Sequence, residues 1–249
     1  MSSGTLSLVT VSDGSSFLPA AARQHGGYLP VILLVLVPSF LVALAMGSLY
    51  FVVMPAMPFL REYYFSQQEQ TYATYVVPLL THIAGGTVAL IAGPINLVNA
   101  LRNGYTRTHR VFGSIYAVAV TVSATCAVFM SFHAYPGVIP FGRLIVTSGF
   151  CTLGLTWLFT LVMALRGILI RHDIAAHRFW IISNFSLTFA AVVIRGENGA
   201  IIALDQFSRL YPWLGWVSWV PCLIVGMLLA RHVNRTRERR AEELAGAHV

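Results

Sequence analysis

The chain has 249 residues, of which 57% are hydrophobic and only 10% charged, against roughly 25% charged in an average soluble domain. Mean hydropathy is +0.72 and the formal charge is +7. So few charges cannot cover a water-exposed surface, which excludes soluble, disordered, collagen-like and disulfide-scaffold proteins and leaves a polytopic membrane protein.

A polar leader, residues 1–30, comes first. A spanning helix needs about 20 mostly apolar residues, and six stretches qualify: about Val31–Met54, Tyr75–Leu97, Val111–His133, Leu144–Leu165, Arg178 to at least Ile194, and Trp213–Arg231. A polar tail, 232–249, follows. The first run is long enough to span and its flank is weakly charged, so the leader reads as a signal-anchor rather than a cleaved signal. The expected fold is all-α, a six-helix integral membrane bundle over 31–231.

All 16 basic residues are arginine, and most lie beside apolar runs, as membrane topology requires and a nucleic-acid partner does not. Arg102, Arg107 and Arg110 follow the second stretch, Arg166, Arg171 and Arg178 follow the fourth, and five more occupy Arg231–Arg240. The opposite loops hold Arg61, Arg143, Arg195 and Arg209, partly offset by Glu62, Glu69, Glu197 and Asp205. The positive-inside rule therefore puts both termini in the cytoplasm. An outer aromatic belt of Tyr63, Tyr64, Tyr72, Tyr75, Tyr135, Tyr211, Trp213 and Trp216 agrees. Cys126, Cys151 and Cys222 are each isolated in apolar sequence, which suits small buried hydrophobes rather than zinc or a disulfide framework.

A weak internal repeat is visible. Ala100-Leu101-Arg102, Gly104 and His109-Arg110 match Ala164-Leu165-Arg166-Gly167 and His177-Arg178. Both hairpins run in the same direction, so the second to fifth helices, about 75–194, form a duplicated four-helix core.

Ionisable groups at membrane depth each need an account. His82 heads a stripe of Gly85, Gly86, Ala89 and Gly93 at helical spacing, a groove that admits either a neighbouring helix or a flat ligand. Pro94 frees a carbonyl within the same helix. His109 and His177 open parallel helices at equal depth, where a helix N-terminus favours the neutral imidazole that a metal requires. Arg110 and Arg178 then stand where haem propionates or lipid phosphates would find charge; they also serve as topology determinants, with the histidines as interfacial caps. His172, beside Asp173, reads as exposed. At the outer end His133, Arg195 and Glu197 share a depth. Only 17 positions separate Arg178 from Arg195, so Arg195 stays within the bilayer's edge and needs either Glu197 or an anionic ligand. Ser183, Asn184, Ser186 and Thr188 mark one interior face of the fifth helix.

The chain resembles the predicted membrane proteins grouped as domain of unknown function 2306. The resemblance covers about residues 75–230 and rests on four features. They are His82 with its glycines through Gly93-Pro94, His109-Arg110-Val111-Phe112-Gly113-Ser114-Ile115-Tyr116, His177-Arg178-Phe179-Trp180, and the isolated Arg195. It implies a multi-helix membrane fold and assigns no activity. A looser similarity is to six-helix b-type cytochromes, which hold two haems between histidines of four consecutive core helices. Here Leu144–Leu165 contains no histidine. The similarity therefore implies at most one inner haem b, with His109 and His177 as metal ligands and Arg110 and Arg178 as cofactor contacts, and with His82 or His133 at an outer site.

Three function classes follow. The first is a redox protein carrying haem b, with an electron-transfer partner. The second is a membrane enzyme using His82, Arg195 and Glu197 as catalytic acid–base groups on a quinone or isoprenoid. The third is a small transporter or lipid-binding scaffold, which parallel duplication disfavours. The lipid bilayer is the one partner common to all.

Overall fold

The computed structural model describes residues 29–53, 69–102 and 106–246. Most of the leader, and Arg61, Glu62, Tyr63, Tyr64 and Gly104 of the expected motifs, lie outside the described residues. Helix α1 is Leu29–Ser48, continued by a π-helical turn at Leu49–Val53; α2 is Glu69–Thr74; α3, Val76–Arg102; α4, Arg107–Ser131; α5, Gly142–Leu169; α6, Ile174–Ala203; α7, Phe207–Val217; and α8, Val220–Gly246. No strand occurs among the described residues. Six stretches are long and apolar enough to cross a membrane: α1 with its π-turn, α3, α4, α5, α6, and α7 with α8. This is a multi-pass integral membrane protein, as composition requires.

The sixth expected helix departs from the sequence reading in two ways. It is interrupted at Ser218–Trp219, between α7 and α8. Pro221 is the cause: it has no N–H to give and tolerates only the first turn of a helix, so a new helix begins just before it. Second, the helix does not end at Arg231, and residues 232–246 of the polar tail are helical as well. They continue α8, because Ala, Leu, Arg and Glu are strong helix formers and no glycine or proline intervenes before Gly246. The three cysteines are free and only half-buried, less enclosed than expected.

In the four central spans α3 packs most closely on α4, α4 on α5 and α5 on α6, and α6 also meets α8 and α3. Helix α1 leans on α3 and α6 and is largely open to lipid, with Leu34 70% and Leu44 69% exposed. The outward residues of the other spans are apolar as well (Val77, Leu144, Val162), as a lipid-facing surface must be. The interior is instead sealed by small residues and a polar cluster.

The stripe expected on the second span serves helix contact. A Cβ on Gly85 would stand 2.9 Å from the Ala119 carbonyl oxygen and the Ser123 Cβ, and one on Gly93 would run into the Phe185 ring. Glycine thus lets α3 lie against α4 backbone to backbone, the close approach that drives helix association where no hydrophobic effect operates.

At mid-bundle the Tyr116 hydroxyl donates to Asn184 Oδ1 at 2.7 Å and lies 2.7 Å from Thr188 Oγ1. Asn184 Nδ2 donates to the Trp157 carbonyl and to Thr160 Oγ1, and Trp157 Nε1 donates to Thr188 Oγ1. All five residues are buried. This network ties α4, α5 and α6, and it accounts for the polar face expected on the fifth span.

Candidate functional site

On the side of this network away from the paired histidines lies a cavity of about 790 Å³. Trp157 and Thr188 belong to both the network and the cavity wall, so the network forms its floor. Helices α1, α3, α4, α5 and α6 supply most of the wall, and Ser218, at the break before α8, completes it. His82, His133 and Arg195 all line it. Three of the residues expected at the outer end therefore converge on one space.

His82 is held firmly. Its Nδ1 lies 3.0 Å from the Ser123 carbonyl oxygen and 3.0 Å from Ser123 Oγ, while that hydroxyl donates to the His82 carbonyl at 2.8 Å. A carbonyl oxygen only accepts, so Nδ1 carries the hydrogen. In the neutral ring Nε2 is then a lone-pair acceptor. It takes no hydrogen bond among the described residues.

Arg195 lies within electrostatic reach of His82. Its Nε donates to Met46 Sδ of α1 at 3.0 Å, and among the described residues the guanidinium makes no other hydrogen bond and no ion pair. Other arginines are better served. Arg143 donates to the Phe132 and Ala134 carbonyls at the end of α4, and Arg178 donates to Asn234 Oδ1 of α8. Arg195 stands about 26 Å along the helix from Arg178 at 1.5 Å per residue, within a hydrocarbon layer of about 30 Å. A guanidinium there has five donors to satisfy, and a thioether is a weak acceptor for one of them.

Glu197 does not supply the missing partner. Two residues from Arg195, it points elsewhere around α6 and is hydrogen-bonded by the Ser218 hydroxyl. It reaches the cavity only through Ser218. His133 lies in an aromatic cluster, its ring 4.0 Å from that of Tyr75 and 5.0 Å from that of Phe129. Beyond it, Tyr135 and Tyr211 of the expected aromatic belt pack with Phe207.

At the arginine-rich end, Thr106 caps α4 by accepting from the His109 N–H, and Asp173 caps α6 by accepting from the Ala176 N–H. These caps fix both histidines in first turns. His109 precedes Tyr116 by seven residues and His177 precedes Asn184 by seven. Tyr116 and Asn184 are themselves bonded across the bundle, and seven residues return a helix to nearly the same face. The two histidines therefore stand at a similar level in the bundle, and they lie within electrostatic reach of each other. His177 Nδ1 lies 2.9 Å from the Ala164 carbonyl oxygen, so it too carries its hydrogen on Nδ1. Gly167 makes this approach possible, since a Cβ there would stand 2.9 Å from the His177 nitrogen. Arg110 is exposed, and His172 is exposed as expected. Among the described residues no three His, Cys, Asp or Glu side chains converge.

Sequence reasoning missed the partners that orient these groups. Ser123 lies 41 residues from His82, and nothing local marks it. Asn198, also on the cavity wall, was legible in principle: it is a carboxamide three positions after Arg195, hence on its face.

Residues 79–230 match the model of a family described as predicted membrane protein (DUF2306). No curated protein and no solved structure matches the chain.

Proposed function

The chain belongs to the DUF2306 family of predicted membrane proteins, and we propose that it binds and deprotonates a lipophilic molecule bearing an acidic hydroxyl. The observation that carries this reading is Arg195, a guanidinium inside a spanning helix whose one hydrogen bond among the described residues goes to a methionine sulfur, beside a cavity it shares with His82. His82 Nε2 is the proton acceptor, fixed in that tautomer by Ser123. Arg195 stabilises the anion left on the ligand oxygen, where exclusion of water strengthens the attraction. Glu197 acts from behind, by orienting Ser218 on the wall. The apolar remainder of the cavity, including Leu49, Leu153 and Ile194, takes the tail.

The test is binding of the monomethyl ether of decylhydroquinone, a tailed phenol, to the detergent-purified protein, read by quenching of tryptophan emission, to which Trp157 on the cavity wall contributes. We expect saturable quenching in the wild type and about tenfold weaker binding in His82→Phe, the loss of one hydrogen bond to an ionising group. Equal affinity in the two proteins would refute the assignment of His82.

A second reading concerns the other end. His109 and His177 are level imidazoles, and His177 donates its Nδ1 hydrogen to a carbonyl, the arrangement that orients a metal-bound histidine. Two histidines without a third ligand among the described residues suit haem b, whose macrocycle binds the iron itself. His109 and His177 would hold the haem iron, and Arg110 and Arg178 would serve its propionates; Arg178 would have to share its guanidinium with Asn234. Bound haem would supply one-electron chemistry. A reduced-minus-oxidised spectrum of protein expressed with haem available should then show Soret and alpha bands that vanish in His177→Ala. Their absence from a haem-replete preparation removes this reading and leaves the cavity reading intact.

A further inference from the structure

A ligand hydroxyl at His82 accounts for one end of a head group, and Asn198 bears on the other. Asn198 follows Arg195 by one helical turn, lies on the same face of α6 and lines the same cavity. Its Oδ1 is buried and takes no hydrogen bond among the described residues. Asn184 and Asn234 bond through both ends of their carboxamides, and of the two buried amide oxygens without a partner among the described residues, those of Asn96 and Asn198, only the second belongs to a residue on the cavity wall. A buried acceptor without a donor is unfavourable and marks a place where something else donates.

The cavity thus offers two acceptors, His82 Nε2 and Asn198 Oδ1, and one cationic donor, Arg195. A carboxylic acid or a singly protonated phosphate brings one hydroxyl and would leave one of the cavity's acceptors unmet; fully ionised, each brings acceptors alone. A simple long-chain alcohol brings one hydroxyl and would leave one unmet. A head group with two hydroxyls can meet both, and the walls suit a flat ring, with Trp157, Phe150, Phe207 and Tyr211 among them. Building on the reading above, we infer that Asn198 accepts the second hydroxyl of a two-hydroxyl aromatic head, so that the ligand class is a lipophilic hydroquinone.

The experiment compares three probes with one tail under anaerobic conditions: decylhydroquinone, its monomethyl ether, and the oxidised decylbenzoquinone. The wild type should bind the hydroquinone about tenfold more tightly than the ether, the value of one hydrogen bond, and more tightly than the quinone. Asn198→Leu should bind hydroquinone and ether alike, at the wild-type affinity for the ether. Asn198→Asp, which keeps an acceptor at that position, should retain the preference and serves as the control for folding. Equal wild-type binding of hydroquinone and ether, tighter binding of the quinone, or a preference that survives in Asn198→Leu overturns the inference. In those cases the ether's dependence on His82 still upholds the acid–base reading. Failure of every probe to bind the wild type overturns both.

Discussion

Arg195→Met is expected to raise the melting temperature of the detergent-solubilised protein while weakening ligand binding roughly ten- to hundredfold. The two effects have one origin. A guanidinium at membrane depth is costly, by about 2.5–3.5 kcal/mol near a helix centre and less toward its ends. Here no carboxylate among the described residues offsets that cost, because Glu197 is engaged by Ser218 and the one recorded partner is Met46 Sδ. Methionine keeps much of the packing volume and discards the charge. For a chain of this size each kcal/mol recovered lifts the melting temperature by about 2–4 °C. Binding moves oppositely, since a charge-assisted hydrogen bond contributes about 1.5–3 kcal/mol. An arginine that merely braced the fold would behave in reverse: its removal would lower stability and leave affinity unchanged. That outcome would sink the proposed function.

The parts of this design that the sequence displays are those set by local period and composition. Hydropathy alone locates the six spans, and arginines bracket them. The stripe from His82 to Gly93 shows as helical spacing, and neighbouring helices occupy it, α4 at Gly85 and the Phe185 ring of α6 at Gly93, with Gly86 left on the cavity wall. His82 and Arg195 are conspicuous because each interrupts an apolar run. What the sequence cannot display is direction. Arg195 and Glu197 sit two residues apart and look like an ion pair, yet that spacing turns them to different sides of one helix, and the carboxylate finds Ser218 at a break created by Pro221. The Nδ1 partner of His82 is a backbone carbonyl of another helix, and a carbonyl leaves no mark on sequence. The polar residues at 183–188 announce an interior face, but Trp157 and Tyr116, which complete their hydrogen bonds, come from two other helices.

That network carries the second large effect. Asn184→Leu is expected to destabilise the protein by about 3 kcal/mol, and Tyr116→Phe by about 1. Individual hydrogen bonds between membrane helices contribute about 0.6 kcal/mol on average and up to about 1.7. Asn184 makes three, to Tyr116, the Trp157 carbonyl and Thr160, and its loss also strands buried donors and acceptors on α4 and α5. Phenylalanine at 116 removes one hydroxyl, and Thr188 keeps its bond from Trp157. The double variant should cost less than the sum, because the two residues share a bond. Stability is read from thermal unfolding in one detergent, and the coupling from the four-protein cycle. Thr188 and Trp157 are also the cavity floor, so Asn184→Leu should weaken probe binding even at temperatures where the fold persists. Tyr116→Phe, which leaves both floor residues bonded to each other, should bind nearly as the wild type does. A Tyr116→Phe protein as unstable as Asn184→Leu would mean that the hydroxyl, not the carboxamide, organises the bundle. Strict additivity would mean that the 2.7 Å bond between them contributes nothing.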